Sequence, residues 1–211
     1  MRTLIVVRHG ETEWNSEKRI QGSVDVPLSA KGIGQAEALA EILAGEAWRF
    51  DRVYTSDLDR SRTTGQILAG RLGIPVLVTS PLLRELHCGL WEGRAIEELR
   101  TREPEAYASW LDDPEWAIPG GESVSELYGR VVAFFREQRA TLEGCRDVLL
   151  VAHGLANRMI LAALMRIEPQ RARYFVQDNT AINVFSWHSN GRIYCEAWNA
   201  TCHLERQGED G

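Results

Sequence analysis

The chain has 211 residues and a mass of 23.8 kDa, 44% hydrophobic and 26% charged, which suits one domain with a sizeable core. A formal net charge of −6 and a pI near 5.5 give no long-range attraction for nucleic acid or an anionic membrane surface, so neither is expected as a partner. No apolar run approaches the roughly 20 residues that span a bilayer, and no signal-peptide pattern is read at the start, so a cytoplasmic location is the expectation.

The first element is the apolar run Leu4-Ile5-Val6-Val7, read as a buried strand. It ends on Arg8-His9-Gly10, which sets a guanidinium and an imidazole at the carboxyl edge of a sheet, where open α/β folds bind ligands. That pairing suits a phosphate. A guanidinium grips phosphoryl oxygens in a fork, glycine lets the backbone approach, and an imidazole can attack phosphorus.

Ala30 to Ala44 reads as a helix with Ala36, Leu39, Ala40 and Leu43 on one face. A second buried strand around Val53-Tyr54-Thr55 runs into a helix over Leu58 to Leu72, whose first turn holds Arg60 beside N–H groups that favour anions. Val76 to Val78 is a short strand. From Ile96 to Leu142 the strand pattern disappears, with Trp91, Trp110 and Trp116 in or near the segment and read mainly as packing residues. Within it, Ser123-Val124-Ser125-Glu126 has the form of a capping box opening a helix with Val124, Leu127, Val131 and Phe134 at helical spacing.

The strand Asp147 to Ala152 then ends on His153-Gly154, repeating the design of the first, and Gly154 to Met165 continues as a helix. If the two strands are parallel neighbours, both imidazoles meet at one bound group. Ala181 to Trp187 and Arg192 to Trp198 read as a hairpin around His188 to Gly191, and Glu205 to Gly211 as a disordered tail. This alternation predicts a three-layer α/β domain over 1–204, with a mainly parallel sheet and helices on both faces. Cys88, Cys145, Cys195 and Cys202 lack C-x-x-C spacing and are expected as reduced thiols. Pairing Cys88 with His87, or Cys202 with His203, has no tetrahedral spacing behind it, so no metal site is expected.

Ordered blocks from Arg8 to His203 resemble the histidine phosphatase superfamily, the phosphoglycerate mutase-like family. They are Arg8 to Asn15, Gln21 to Ser29, Ser56 to Ser61, Arg84-Glu85-Leu86, Gly89 to Gly93, Pro119 to Ser123 and Ala152-His153-Gly154. The resemblance implies that His9 is the nucleophile, forming a transient phosphohistidine. One of its ring nitrogens would donate to a fixed acceptor, expected to be a backbone carbonyl of the glycine-containing turn. It implies that Arg8, Arg60 and His153 surround the transferring oxygens, that Asn15, Gln21 and Gly22 belong to a loop adding amide donors, and that Gly154 lies at the same pocket. Glu85 would be the general acid, then the base that activates water. Such a cationic cluster can do what Mg²⁺ does elsewhere, so no metal or other cofactor is expected. The segment 96–142 would be the family's helical cap over the crevice.

Mutases of the family carry an arginine directly after the acid; here that position is Leu86, and Gly-Leu-Trp-Glu-Gly at 89–93 looks like the phosphatase branch. Hydrolysis of a small phosphomonoester is therefore expected, with phosphoglycerate mutase chemistry and a non-catalytic phosphate-binding module as the alternatives. Some phosphoserine-directed members share a histidine near the acid and a Thr-Cys-His-Leu tail, as at Thr201 to Leu204. His87, two residues past Glu85, would share its side in an extended segment and hold a substrate carboxylate, with His203 folding back towards the cap opening. Monomer and homodimer both remain open.

Overall fold

The structure, a computed structural model, describes residues 2–188 and 190–205. Its strands are β1 (Thr3–Arg8), β2 (Phe50–Thr55), β3 (Leu77–Thr79), β4 (Asp147–Ala152), β5 (Ile182–Trp187) and β6 (Ile193–Ala200). They form one sheet in the order β3-β2-β4-β1-β5-β6. The first four are mutually parallel, and β5 and β6 complete the sheet as an antiparallel hairpin. The α/β class is as the sequence predicts.

Parallel strands covered on both faces read as continuous apolar runs. Accordingly, all six residues of β4 are buried. In β1, Leu4 and Val6 join one hydrophobic cluster, and Ile5 and Val7 the other, on opposite sides of the sheet. One side is covered by α2 (Ala30–Ala44) and α3 (Asp59–Leu72), following the four-residue helix α1 (Glu13–Ser16). Ser29 caps α2 by accepting from the Gly32 N–H. The face of α2 expected from the sequence is the buried one, extended by Gly32 and Gln35.

The segment expected as a cap divides in two. Helices α4 (Ile96–Arg102) and α5 (Pro104–Asp112) stand over the carboxyl ends of the strands. They are rooted by Trp91, whose ring centroid lies 5.9 Å from that of Trp110 and 5.6 Å from that of Trp116. Helix α6 (Val124–Gly144) instead covers the second face of the sheet, where Phe134 meets Tyr54 of β2 edge-on at 5.2 Å. It packs beside α7 (Gly154–Met165), and both halves of its predicted capping box are present between Ser123 and Glu126. The apolar stripe of α6 is thus that of a layer helix rather than of a lid. Two short helices follow, α8 (Pro169–Ala172) and α9 (Cys202–Glu205). Glu205 closes α9; the rest of the expected tail, 206–211, and Ser189 of the hairpin turn lie outside the described residues. No helix among the described residues is long and apolar enough to cross a membrane.

Candidate active site

The register of the two central strands assembles the site. Arg8 pairs with Ala152 across β1 and β4, so the next residue of each strand brings His9 beside His153. The His9 N–H donates to the Ala152 carbonyl at 3.0 Å, and the two rings meet edge-on with centroids 5.1 Å apart. Both side chains are buried, at 2% and 0% exposure.

The two imidazoles are fixed through opposite nitrogens. His9 Nδ1 is 2.6 Å from the Gly10 carbonyl, which can only accept; Nδ1 therefore carries the proton and Nε2 keeps its lone pair. His153 Nε2 is 2.7 Å from Ser56 Oγ, whose lone pair already accepts from the Leu58 N–H. Where the Ser56 hydroxyl donates to Nε2, the proton of His153 sits on Nδ1, which has no partner among the described residues. One ring then offers a lone pair and the other an N–H. Burial, together with the charges of Arg60 and Arg8, holds both imidazoles well below the usual histidine range. They are neutral at physiological pH.

Arg60, in the first turn of α3, is fully buried and donates to the Gly22 and Val24 carbonyls, each at 2.7 Å. Burial lowers its pKa to about 10, which leaves it charged. Arg8 donates to the Gln177 carbonyl at 2.6 Å. Among the described residues the Nε atoms of Arg8 and Arg60 and Oε1 of Gln21 are buried without a partner, and all three residues line one cleft. Gly22 has a φ of +53°, and a Cβ there would lie 2.3 Å from Glu92 Oε1, the oxygen that also accepts from the Ser23 and Cys88 N–H groups. Asn15 lines the cleft while its Oδ1 accepts from the Thr12 N–H at the start of α1 and from Asn179 Nδ2.

Glu85 sits at the amino end of α7. Its Oε2 accepts from the Leu155 N–H at 3.0 Å, and its Oε1 from the Ala156 N–H at 3.1 Å and its own neighbour's, Leu86, at 3.0 Å. Gly154 lies between acid and arginine: a Cβ there would be 3.7 Å from both Glu85 Oε2 and Arg8 Nε. Arg8, His9, Arg60 and Glu85 thus line one cleft, with His153 against His9.

Two expectations are corrected. His87 does not line this cleft; it opens onto a neighbouring groove with Arg84, Glu122 and Arg130, its side chain 46% exposed. The cause is its backbone, whose N–H and carbonyl both bond to Glu122, tying the segment to the 119–123 turn. His203 does not reach the opening either. It is 1% exposed, bonded through Nε2 to Thr180 Oγ1 at 2.9 Å, and so props the turn whose Thr180 N–H meets the Arg8 carbonyl.

Sequence reasoning assigned no role to Ser56, to Arg130, or to the outer lining residues Arg158, Arg173, Tyr107 and Gln177. Arg130 donates to the Leu82, Arg84 and Glu85 carbonyls and pairs with both oxygens of Glu122, so it fixes the backbone that presents the acid. No periodicity announces it, because its partners lie 8 to 48 residues away in sequence.

A crevice at a parallel sheet's carboxyl edge, with an imidazole beside the buried Arg60 and the half-buried Arg8 and a carboxyl group in the same cleft, is an anion-receptive site of an α/β protein. The family model of the histidine phosphatase superfamily (branch 1) matches residues 4–201, and the chain belongs to that superfamily. It is 35% identical over 207 residues to phosphoglycerate mutase-like protein 4 of Arabidopsis thaliana, covering 97% of this chain and 88% of the relative. It is 32% identical over 202 residues to phosphoserine phosphatase 1 of Hydrogenobacter thermophilus, covering 95% and 93%. The mycobacterial glucosyl-3-phosphoglycerate phosphatase in complex with VO3 superposes with a TM-score of 0.85 at 32% identity, covering 95% of this chain and all of that one.

Proposed function

We propose that this protein is a phosphatase that hydrolyses small phosphomonoesters through a phosphohistidine on His9, without a metal ion. The observation that carries the reading is the 2.6 Å contact of His9 Nδ1 with the Gly10 carbonyl, which leaves Nε2 unprotonated and aimed by a fixed ring. In the first step the Nε2 lone pair attacks phosphorus, the ester P–O bond breaks, and Glu85 gives its proton to the leaving oxygen. In the second, a water loses a proton to Glu85 and adds to phosphorus, the P–N bond breaks, and inorganic phosphate departs. Arg8, Arg60 and the His153 N–H hold the charge of the equatorial oxygens throughout.

Hydrolysis is favoured over transfer to a second substrate oxygen by Leu86. It is 1% exposed and belongs to the apolar core, at the position where family mutases place an arginine. The named relatives include both chemistries, and all three names carry carboxylated phosphomonoesters, which makes phosphoserine or a similar compound the first substrate class to try. The test is phosphate release, with EDTA present, from phosphoserine, 3-phosphoglycerate, sugar phosphates, nucleotides and an aryl phosphate, with His9→Ala alongside. Release that needs His9 and survives EDTA supports the reading. Isomerisation of 3-phosphoglycerate without release replaces it with mutase chemistry. Phosphate binding without turnover leaves a binding module.

A further inference from the structure

Two arginines of the cleft have no part in the chemistry proposed above. Arg158, on α7, and Arg173, just past α8, line it together with Tyr107 and Trp110 of α5. Each guanidinium donates to the backbone through one nitrogen only. Arg158 Nε donates to the Phe175 carbonyl at 2.7 Å; Arg173 lies over the Trp110 ring, 4.2 Å from its centroid, and donates to the Trp110 carbonyl. Neither forms an ion pair with a carboxylate among the described residues. Partial burial lowers both from the usual arginine range, and for Arg173 the charge of Arg158 adds to it. Like charges held near one another, with Glu85, Asp178 and Asp112 within electrostatic reach but none in an ion pair with them, are an arrangement that a bound anion relieves.

The charge of the cleft gives the kind of anion. With both histidines neutral, Arg8, Arg60, Arg158 and Arg173 face one lining carboxylate, Glu85, while the fifth lining arginine, Arg19, is paired with Glu17. With Glu85 holding the proton that it gives to the leaving oxygen, a phosphomonoester dianion at His9 leaves an excess of positive charge at Arg158 and Arg173, which a second anionic group of the same molecule, such as a carboxylate, would offset. Asp178, within electrostatic reach of Arg158, does not line the cleft, and its Oδ2 accepts from Asn199 Nδ2.

We propose that Arg158 and Arg173 form an outer anion subsite that binds the carboxylate of a phosphomonoester whose phosphoryl group sits at His9, with Tyr107 and Trp110 against the carbon skeleton between. This rests on the phosphatase reading for the role of His9, and it replaces His87 as the carboxylate's partner.

The test is calorimetric binding to His9→Ala protein, which does not depend on turnover. The probes are 3-phosphoglycerate and glycerol 1-phosphate, which differ only in a carboxylate against a hydroxymethyl group. The carboxylate is expected to tighten binding about tenfold, the worth of one charge-assisted pair. Arg173→Gln, added to His9→Ala, should abolish that preference and Arg173→Lys should restore part of it. Arg158→Gln should act in the same direction; because Arg158 also holds the Phe175 carbonyl, the Arg173 pair decides if that variant fails to fold. Equal binding of the two probes, or a preference that survives Arg173→Gln, overturns the subsite. Tighter binding of propane-1,3-diyl bisphosphate than of 3-phosphoglycerate, lost in Arg173→Gln, overturns the carboxylate assignment in favour of a second phosphate. Should the wild type release no phosphate from any ester, the phosphatase reading falls, and the binding preference is judged separately.

Discussion

On the floor of the cleft, His9 and His153 stand one residue beyond a strand end, Arg60 lies in the first turn of a helix, and Glu85 is seated on the first N–H groups of another. Each is held by backbone partners at 2.6 to 3.1 Å or, for His153, by Ser56, whose Oγ accepts from the Leu58 N–H at 3.2 Å. The outer wall differs: Tyr107, Trp110, Arg158 and Arg173 come from three separate segments and touch mainly one another's side chains and carbonyls. The floor is therefore preorganised by the sheet, as the proposed electrostatic catalysis requires, and under that proposal the wall can vary with the substrate without disturbing the chemistry.

The largest effect that can break this contrast is a comparison of acid and rim. Glu85→Gln removes the transferable proton and should lower kcat by roughly 10²- to 10⁴-fold. Ile96→Ala, on the rim with its side chain partly exposed, should stay within about threefold, the scale of a surface substitution. A rim variant as damaging as Glu85→Gln would show that the wall takes part in the chemistry.

The buried histidines give the floor a pH signature. Burial pushes His9 and His153 well below 6.5 and His203 to about 4, so the folded protein binds fewer protons than the unfolded chain once pH drops below 6.5. Stability should hold level from pH 8 to 7 and decline below 6.5, by on the order of 1 kcal/mol per histidine at pH 5.5. Denaturant melts across that window check it, and His203→Asn should make the decline shallower. A flat profile would mean that these rings titrate in the folded protein as they do in the unfolded chain, so that burial does not hold them neutral below pH 6.5.

Glycines separate the floor from ordinary helix surface. A Cβ on Gly10 would lie 2.3 Å from the Gly32 carbonyl oxygen of α2, backbone against backbone, so Gly10→Ala should lower stability by about 1–3 kcal/mol and activity with it. Gly70, near the end of α3, meets nothing within 4 Å, and Gly70→Ala should raise stability by about 0.5–1 kcal/mol. Thermal melts of the two proteins should move in opposite directions.

How much could be read in advance follows the same division. Arg8-His9-Gly10 and Ala152-His153-Gly154 are local patterns, a buried strand followed at once by reactive residues, and strand register then decides where they meet. The helix Ala30–Ala44 begins at the Ser29 cap, and Ala30–Ala44 and Gly154–Met165 both span the stretches that the sequence marks as helical. Arg158 and Arg173 are not legible in this way. An arginine on a helix or in the irregular stretch after α8 has the same local sequence whether it faces water or a cleft; only the packing of α5 against α7 and α8 distinguishes the two. His87 fails for a related reason. The rule that alternate residues of an extended segment share a side ignores that Glu122, 35 residues on, holds both backbone polar groups of His87.

The smallest expected effect tests whether the floor depends on how its rings are fixed as well as on which rings are present. Ser56 touches no substrate in the proposed chemistry; its hydroxyl stands between the Leu58 N–H and His153 Nε2. Ser56→Ala leaves His153 in place but lets its proton sit on either nitrogen, so part of the population presents a lone pair instead of an N–H to a phosphoryl oxygen. The loss should be about tenfold in kcat and about 1 kcal/mol in stability, the worth of one buried hydrogen bond. Ser56→Thr, which keeps the hydroxyl, should recover most of both. If Ser56→Ala loses stability but keeps kcat, the hydroxyl is only packing, and the tautomer of His153 is set by the charges of Arg60 and Arg8 around it. If kcat falls while the melt is unchanged, the choice of donor nitrogen is itself what the site requires of this strand end.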